Sequence, residues 1–185
     1  VAGMTLTLAT APDMGSADVN DKGSASTNDK TGAGYDAVLN INPSFGTEVL
    51  SGLNIFMGGH MTEHYSQSAE LNDHYEATGG ITFSLGPISL GAAAAGVNTG
   101  NTATATDVDW YKNNMYGVAF NVNDNLSVSY NEHTSRIGYV QPGSNESVDL
   151  EVESWQIAYS MGGASIRLAE TDVSNAAYQT GTSYD

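Results

Sequence analysis

A chain of 185 residues is enough for one domain; only 14% of it is charged, yet the formal net charge is −16, because Lys and Arg number 5 against 21 Asp and Glu. Phosphate backbones need clustered Lys and Arg, so nucleic acid is excluded as a partner, and cations are the natural electrostatic complement. Disulfides and thiolate metal sites are excluded because there is no cysteine, and no apolar run reaches the roughly 18 residues of a transmembrane helix, although a mean hydropathy of −0.25 still admits strands with one apolar and one polar face.

The first strand is predicted over Gly3 to Ala11, where Met4, Leu6 and Leu8 alternate with Thr5, Thr7 and Ala9. Ala11 to Gly34 is polar and reads as a long loop. Its segment from Asp18 to Ser24, with Asp29 beyond, faintly echoes a calcium loop, but Lys22 stands where an oxygen ligand belongs, so a solvated loop is the better reading. Tyr35 to Ile41 alternates again, and Asn42-Pro43 ends it. A connector follows to Gly52, with a helical turn expected around Thr47 to Leu50. Leu53 to Met61 sets Leu53, Ile55, Met57 and Met61 against Asn54, Phe56, Gly58 and His60, and a second polar loop runs from Thr62 to Asp73.

Tyr75 to Leu85 and Ile88 to Val97 are strands joined by Gly86-Pro87, and Asn98 to Lys112 is a third polar loop. Met115 to Val122 places Tyr116, Val118, Phe120 and Val122 opposite Gly117, Ala119 and Asn121. Asn123 to Asn125 turns the chain into Leu126 to Asn131, where Leu126, Val128 and Tyr130 oppose Ser127, Ser129 and Asn131. A fourth polar loop spans Glu132 to Leu150. The clearest unit comes last: Trp155, Ile157, Tyr159 and Met161 alternate with Ser154, Gln156, Ala158 and Ser160, and after Gly162-Gly163 the phase resumes with Ala164, Ile166 and Leu168 against Ser165, Arg167 and Ala169. Two alternating runs around two glycines form a β-hairpin. Thr171 onward reads as loop. Because the chain opens at Val1 within an alternating run and stops at Asp185 in a Gly/Ser/Thr/Asp-rich stretch, it is expected to be part of a longer polypeptide.

Short connections thus alternate with long acidic ones, as in antiparallel barrels that cross outer membranes with short turns on one side and long loops on the other. Strands of roughly ten residues suit a tilted crossing. One face of nearly every strand carries small or hydrophilic residues: Thr5, Thr7, Asn40, Asn54, Ser89, Asn121, Ser127, Ser129, Gln156, Ser165 and Arg167. A small barrel would fill that face with bulky side chains, so a wide, wet lumen is expected. The fold class read here is all-β: an antiparallel transmembrane β-barrel in which residues 1–185 form about nine strands of a single, larger barrel domain.

The stretches Tyr116 to Tyr130 (YGVAFNVNDNLSVSY) and Trp155 to Ile166 (WQIAYSMGGASI) resemble the C-terminal strands of Gram-negative general diffusion porins, especially the alphaproteobacterial type. Phe45 to Ile55 and Phe83 to Leu90 are similar to marine members of that group. The resemblance covers most of the chain; its turn motifs are moderately specific and its strands generic. It implies a homotrimeric outer-membrane barrel of the ~16-stranded kind, passing ions and small hydrophilic solutes passively. Outer-membrane lipid and lipopolysaccharide would surround it, with the long loops extracellular and the short turns periplasmic. It also implies that the N-terminal strands, the constriction loop and the last strand lie outside this stretch.

On this reading the pore-lining residues are Arg167, Ser165, Gln156, Ser127, Ser129, Asn131, Asn121, Asn54, His60 and Ser89, and the aromatics at the lipid interface are Trp155, Tyr159, Tyr130, Tyr116, Phe120 and Tyr35. For the aromatics the bland alternative is the core of a sandwich. In porins an Arg on the wall faces acids of the constriction loop; the bland alternative for Arg167 is an isolated wall charge near the rim. His60 and His64 share strand parity and have Glu63 between them and close by, yet no third ligand is fixed by spacing, and such pairs are commonly incidental. No cofactor is expected beyond calcium held loosely at acidic outer loops. Nor is an enzyme, since Ser, His and Asp occur in loops without a strained elbow or fixed spacing. A surface-binding β-protein (adhesin or sandwich module), or a barrel serving as structural anchor or phage receptor, are the alternatives.

Overall fold

The computed structural model describes residues 3–11, 29–43, 50–66, 72–102, 104–141 and 148–185. They form nine strands: β1 (Met4–Ala11), β2 (Asp29–Ile41), β3 (Leu53–Ser66), β4 (His74–Leu85), β5 (Ile88–Asn98), β6 (Val108–Asn123), β7 (Leu126–Tyr139), β8 (Asp149–Met161) and β9 (Ala164–Ser174). All pair antiparallel with their sequence neighbours in one sheet of order β1 to β9. The sheet does not close: β1 and β9 are its two edges. No helix among the described residues is long and apolar enough to cross a membrane.

The short turns follow from local chemistry. Gly86 and Gly162 each open a two-residue turn at φ 57°, the positive φ that a type II′ hairpin demands at its first central position. An added Cβ would meet nothing within 4 Å at either glycine, so the demand is conformational and not steric. Between β6 and β7 the Asn123 Oδ1 accepts from the backbone N–H groups of Asn125 at 2.9 Å and Leu126 at 3.0 Å, an Asx turn that replaces glycine with a side-chain acceptor.

The strands outrun the apolar alternation. β3 continues to Ser66, β6 begins at Val108, β7 reaches Tyr139, β8 begins at Asp149 and β9 ends at Ser174. The polar loops expected over Thr62 to Asp73, Asn98 to Lys112 and Glu132 to Leu150 are therefore shorter than expected, with strand at Thr62 to Ser66, Val108 to Lys112, Glu132 to Tyr139 and Asp149 to Leu150. Backbone pairing needs no apolar face, so the ladder continues after both faces have become polar. The turn expected at Thr47 to Leu50 and the segment from Asp18 to Ser24 lie almost wholly outside the described residues.

Candidate functional site

Residues paired across antiparallel strands share a face, so the register sorts every side chain. On one face Leu168, Ile157, Val128, Phe120, Ile88 and Leu85 form a continuous cross-strand row. Another row links Trp155, Tyr130, Val118, Leu90, Phe83 and Leu53. Among the described residues nothing covers these rows: Ile157 is 48% exposed, Phe120 41% and Leu90 48%. The described apolar residues that are buried are Ile137 and Ala176, and both belong elsewhere.

All six expected interface aromatics, Trp155, Tyr159, Tyr130, Tyr116, Phe120 and Tyr35, fall on this apolar face. Tyr130 and Trp155 stack with ring centroids 4.6 Å apart. Tyr75 and Trp110, which sequence reasoning missed, extend the set, since one row runs Tyr35, Met61, Tyr75, Asn98, Trp110.

The upper edge of the apolar band descends across the sheet. Aromatic side chains stand at two levels: the row from Tyr35 to Trp110 crosses β2 to β6, and Tyr130 and Trp155 share a row that meets β6 at Val118. Trp110 to Val118 is about 27 Å along the strand, and that whole step falls between β6 and β7. The first charged residue on this face stands lower on the later strands: Lys112 on β6, then Glu132 on β7, which pairs with Tyr116 and with Glu153 on β8, then Glu170 on β9, which pairs with Trp155.

The opposite face brings together every expected pore-lining residue. Ser129 pairs with Gln156 and lies in one row with Ala119 and Ser89. Asn121, Ser127, Ala158 and Arg167 share the next, with Ser165 pairing Ser160 below them. Asn131 belongs to the row that reaches Asn54 through Gly117, Gly91 and Thr82. Arg167 is exposed and enters no ion pair among the described residues.

His60 also lies on this face, and both its ring nitrogens are occupied: Nδ1 meets Asp36 Oδ1 at 2.8 Å and Nε2 meets Thr62 Oγ1 at 2.6 Å. A neutral ring can donate to the carboxylate and accept from the hydroxyl, which leaves no lone pair for a metal. Glu63 points to the other face, where its Oε2 accepts from the Ala33 N–H at 3.2 Å. The His64 ring lies 5.7 Å from that of His74, whose Nε2 meets Glu76 Oε1 at 2.9 Å. Among the described residues no group of three or more His, Asp or Glu is arranged to hold a metal ion.

The hydrophilic face is less uniform than its sequence suggests. Near the end that bears the long connections it carries Tyr111, Ile137, Leu150, Val152 and Val173. Here the chain after β9 folds back over it, a departure from the plain loop expected from Thr171. A 3₁₀ turn (Ala176–Tyr178) buries Ala176 and brings Tyr178 to Ser135.

No protein-family model matches the chain, and no curated protein is similar to it in sequence.

Proposed function

We propose that this chain is part of an outer-membrane porin, in which the nine-stranded sheet is one portion of a wall closed into a transmembrane barrel. The observation that carries the reading is the uncovered apolar face: a continuous band of Leu, Ile, Val, Phe and aromatic side chains with no layer of the described residues over it. Hydrocarbon is the partner that such a band fits. A sandwich or adhesin module would need that face packed against a second sheet, and the described residues offer none.

With the apolar face outward, the face bearing Ser127, Ser129, Asn121, Gln156 and Arg167 lines a water-filled lumen. Hydroxyl and amide groups there hydrogen-bond water and small hydrophilic solutes without holding them, so transport is passive. The net charge of −16 favours cations at the entrance. The long connections face the cell exterior, the Gly86, Asn123 and Gly162 turns face the periplasm, and lipopolysaccharide surrounds a homotrimer. Conductance of the full-length protein in planar bilayers tests this: stepwise, ion-permeable openings are expected, and a membrane that stays silent at micromolar protein overturns the reading.

A further inference from the structure

The hydrophilic face is covered where the segment after β9 returns over it. That segment is a closed structure. The Ala176 N–H donates to the Thr182 carbonyl at 2.8 Å, and Val173 and Tyr184 exchange backbone hydrogen bonds at 2.7 and 2.8 Å. Asn175 braces it: its Nδ2 donates to the Asp149 carbonyl at 2.9 Å, and its Oδ1 accepts from the Gly181 N–H at 3.2 Å. Asn175, Ala177 and Tyr178 all hold positive φ, at 52°, 56° and 58°, a region that non-glycine residues occupy only when their surroundings over-determine it.

The surroundings are visible. Tyr178 Oη lies 2.8 Å from Ser135 Oγ, and its ring lies 6.1 Å from that of Tyr111 at an interplanar angle of 50°. Ser135 is 3% exposed and Ile137 6%, although both belong to the hydrophilic face. The apolar residues Leu150, Val152 and Val173 surround this footprint. The segment is thus seated on a prepared patch. Its level is also fixed: Ser135 stands beyond the outward acids Glu132 and Glu153 along the same strands, above the apolar band.

We infer that the segment 175–185 is a constriction at the mouth bearing the long connections, and that Tyr178 sets the bore there. The inference rests on the porin reading, since it needs the hydrophilic face to bound a water path. The side chains that meet Tyr178, Ser135 and Tyr111, carry no charge, and on the same face Asn113, which pairs with Ser135, has its Oδ1 3.2 Å from His133 Nε2. Discrimination at this point is therefore by size, and acts on uncharged hydrophilic solutes such as sugars and short polyethylene glycols.

The test uses the full-length protein in planar bilayers, with Tyr178→Ala, Tyr178→Phe and Tyr178→Cys variants. Tyr178→Ala should raise single-channel conductance and admit larger polyethylene glycols. Tyr178→Phe keeps the ring and should conduct as wild type does. Tyr178→Cys treated with a bulky anionic methanethiosulfonate should lose part of its current, and a reductant should restore it. Should wild type form channels while Tyr178→Ala keeps the same conductance and polymer cutoff, or fully labelled Tyr178→Cys conduct unchanged, the inference fails and the porin reading stands. A wild type that forms no channels overturns both.

Discussion

Val118 and Ala119 are neighbours on β6 that differ in little but face. Val118 pairs with Leu90 and Tyr130 on the apolar side and is 40% exposed; Ala119 pairs with Ser89 and Ser129 on the other. Arginine at either position meets the same ladder at the same depth. If the apolar face meets hydrocarbon, Val118→Arg should cost about 2–4 kcal/mol near the bilayer midplane. Taken as roughly 3 kcal/mol, that is about a hundredfold in the folding equilibrium. Ala119→Arg places the guanidinium in water and should stay within about 0.5 kcal/mol of wild type. Moving the arginine along the apolar face to Asn114, whose next same-face neighbour is Lys112, should reduce the cost to about 0–1 kcal/mol, since the penalty falls toward the interface. Urea unfolding of the full-length protein from lipid vesicles measures all three. Equal costs at positions 118 and 119, or a cost that does not fall from 118 to 114, would refute the assignment of faces.

Arg167→Glu should raise the cation-to-anion permeability ratio measured from reversal potentials in a salt gradient, because it replaces an exposed cation on the hydrophilic face with an anion; an unchanged ratio places Arg167 off the conduction path. Gly162→Ala should destabilise by roughly 1–2 kcal/mol in the same urea assay through its φ of 57° alone, with nothing within 4 Å to clash, and a neutral result would contradict the turn geometry. Tyr130→Leu in a Trp155 background should lose about 0.5–1.5 kcal/mol of coupling in a double-mutant cycle, the worth of an aromatic pair beyond its area; zero coupling would mean the stacked geometry is not maintained in lipid.

The faces were legible in the sequence wherever one of them was apolar, because a period of two can be read only against contrast. Ile157 with Gln156 and Val118 with Ala119 are such places, and the glycine turns at Gly86 and Gly162 fixed the phase between neighbouring strands. Above the apolar band the contrast vanishes: in β7 the residues Glu132 to Tyr139 are polar or mixed on both sides, so their continued pairing left no periodic trace. The returning segment was hidden for a different reason. From Thr171 to Asp185 the composition is that of any surface loop. The usable signal lay elsewhere, in Ile137, Leu150, Val152 and Val173, apolar residues on the hydrophilic parity that require a cover. His60 was placed on the correct face by parity, but its engagement by Asp36, distant in sequence, depends on a register that spacing alone does not supply.

The direct measurement is the solvent that Trp155 sees. This residue is 59% exposed on the apolar face, and replacing Trp110 with Phe isolates its fluorescence within this stretch of the full-length protein. In vesicles of lipid brominated along the acyl chain the emission should be strongly quenched, while aqueous iodide leaves it nearly unchanged. Efficient quenching by iodide, with bromolipid without effect, would mean that water or protein, and not hydrocarbon, covers the band.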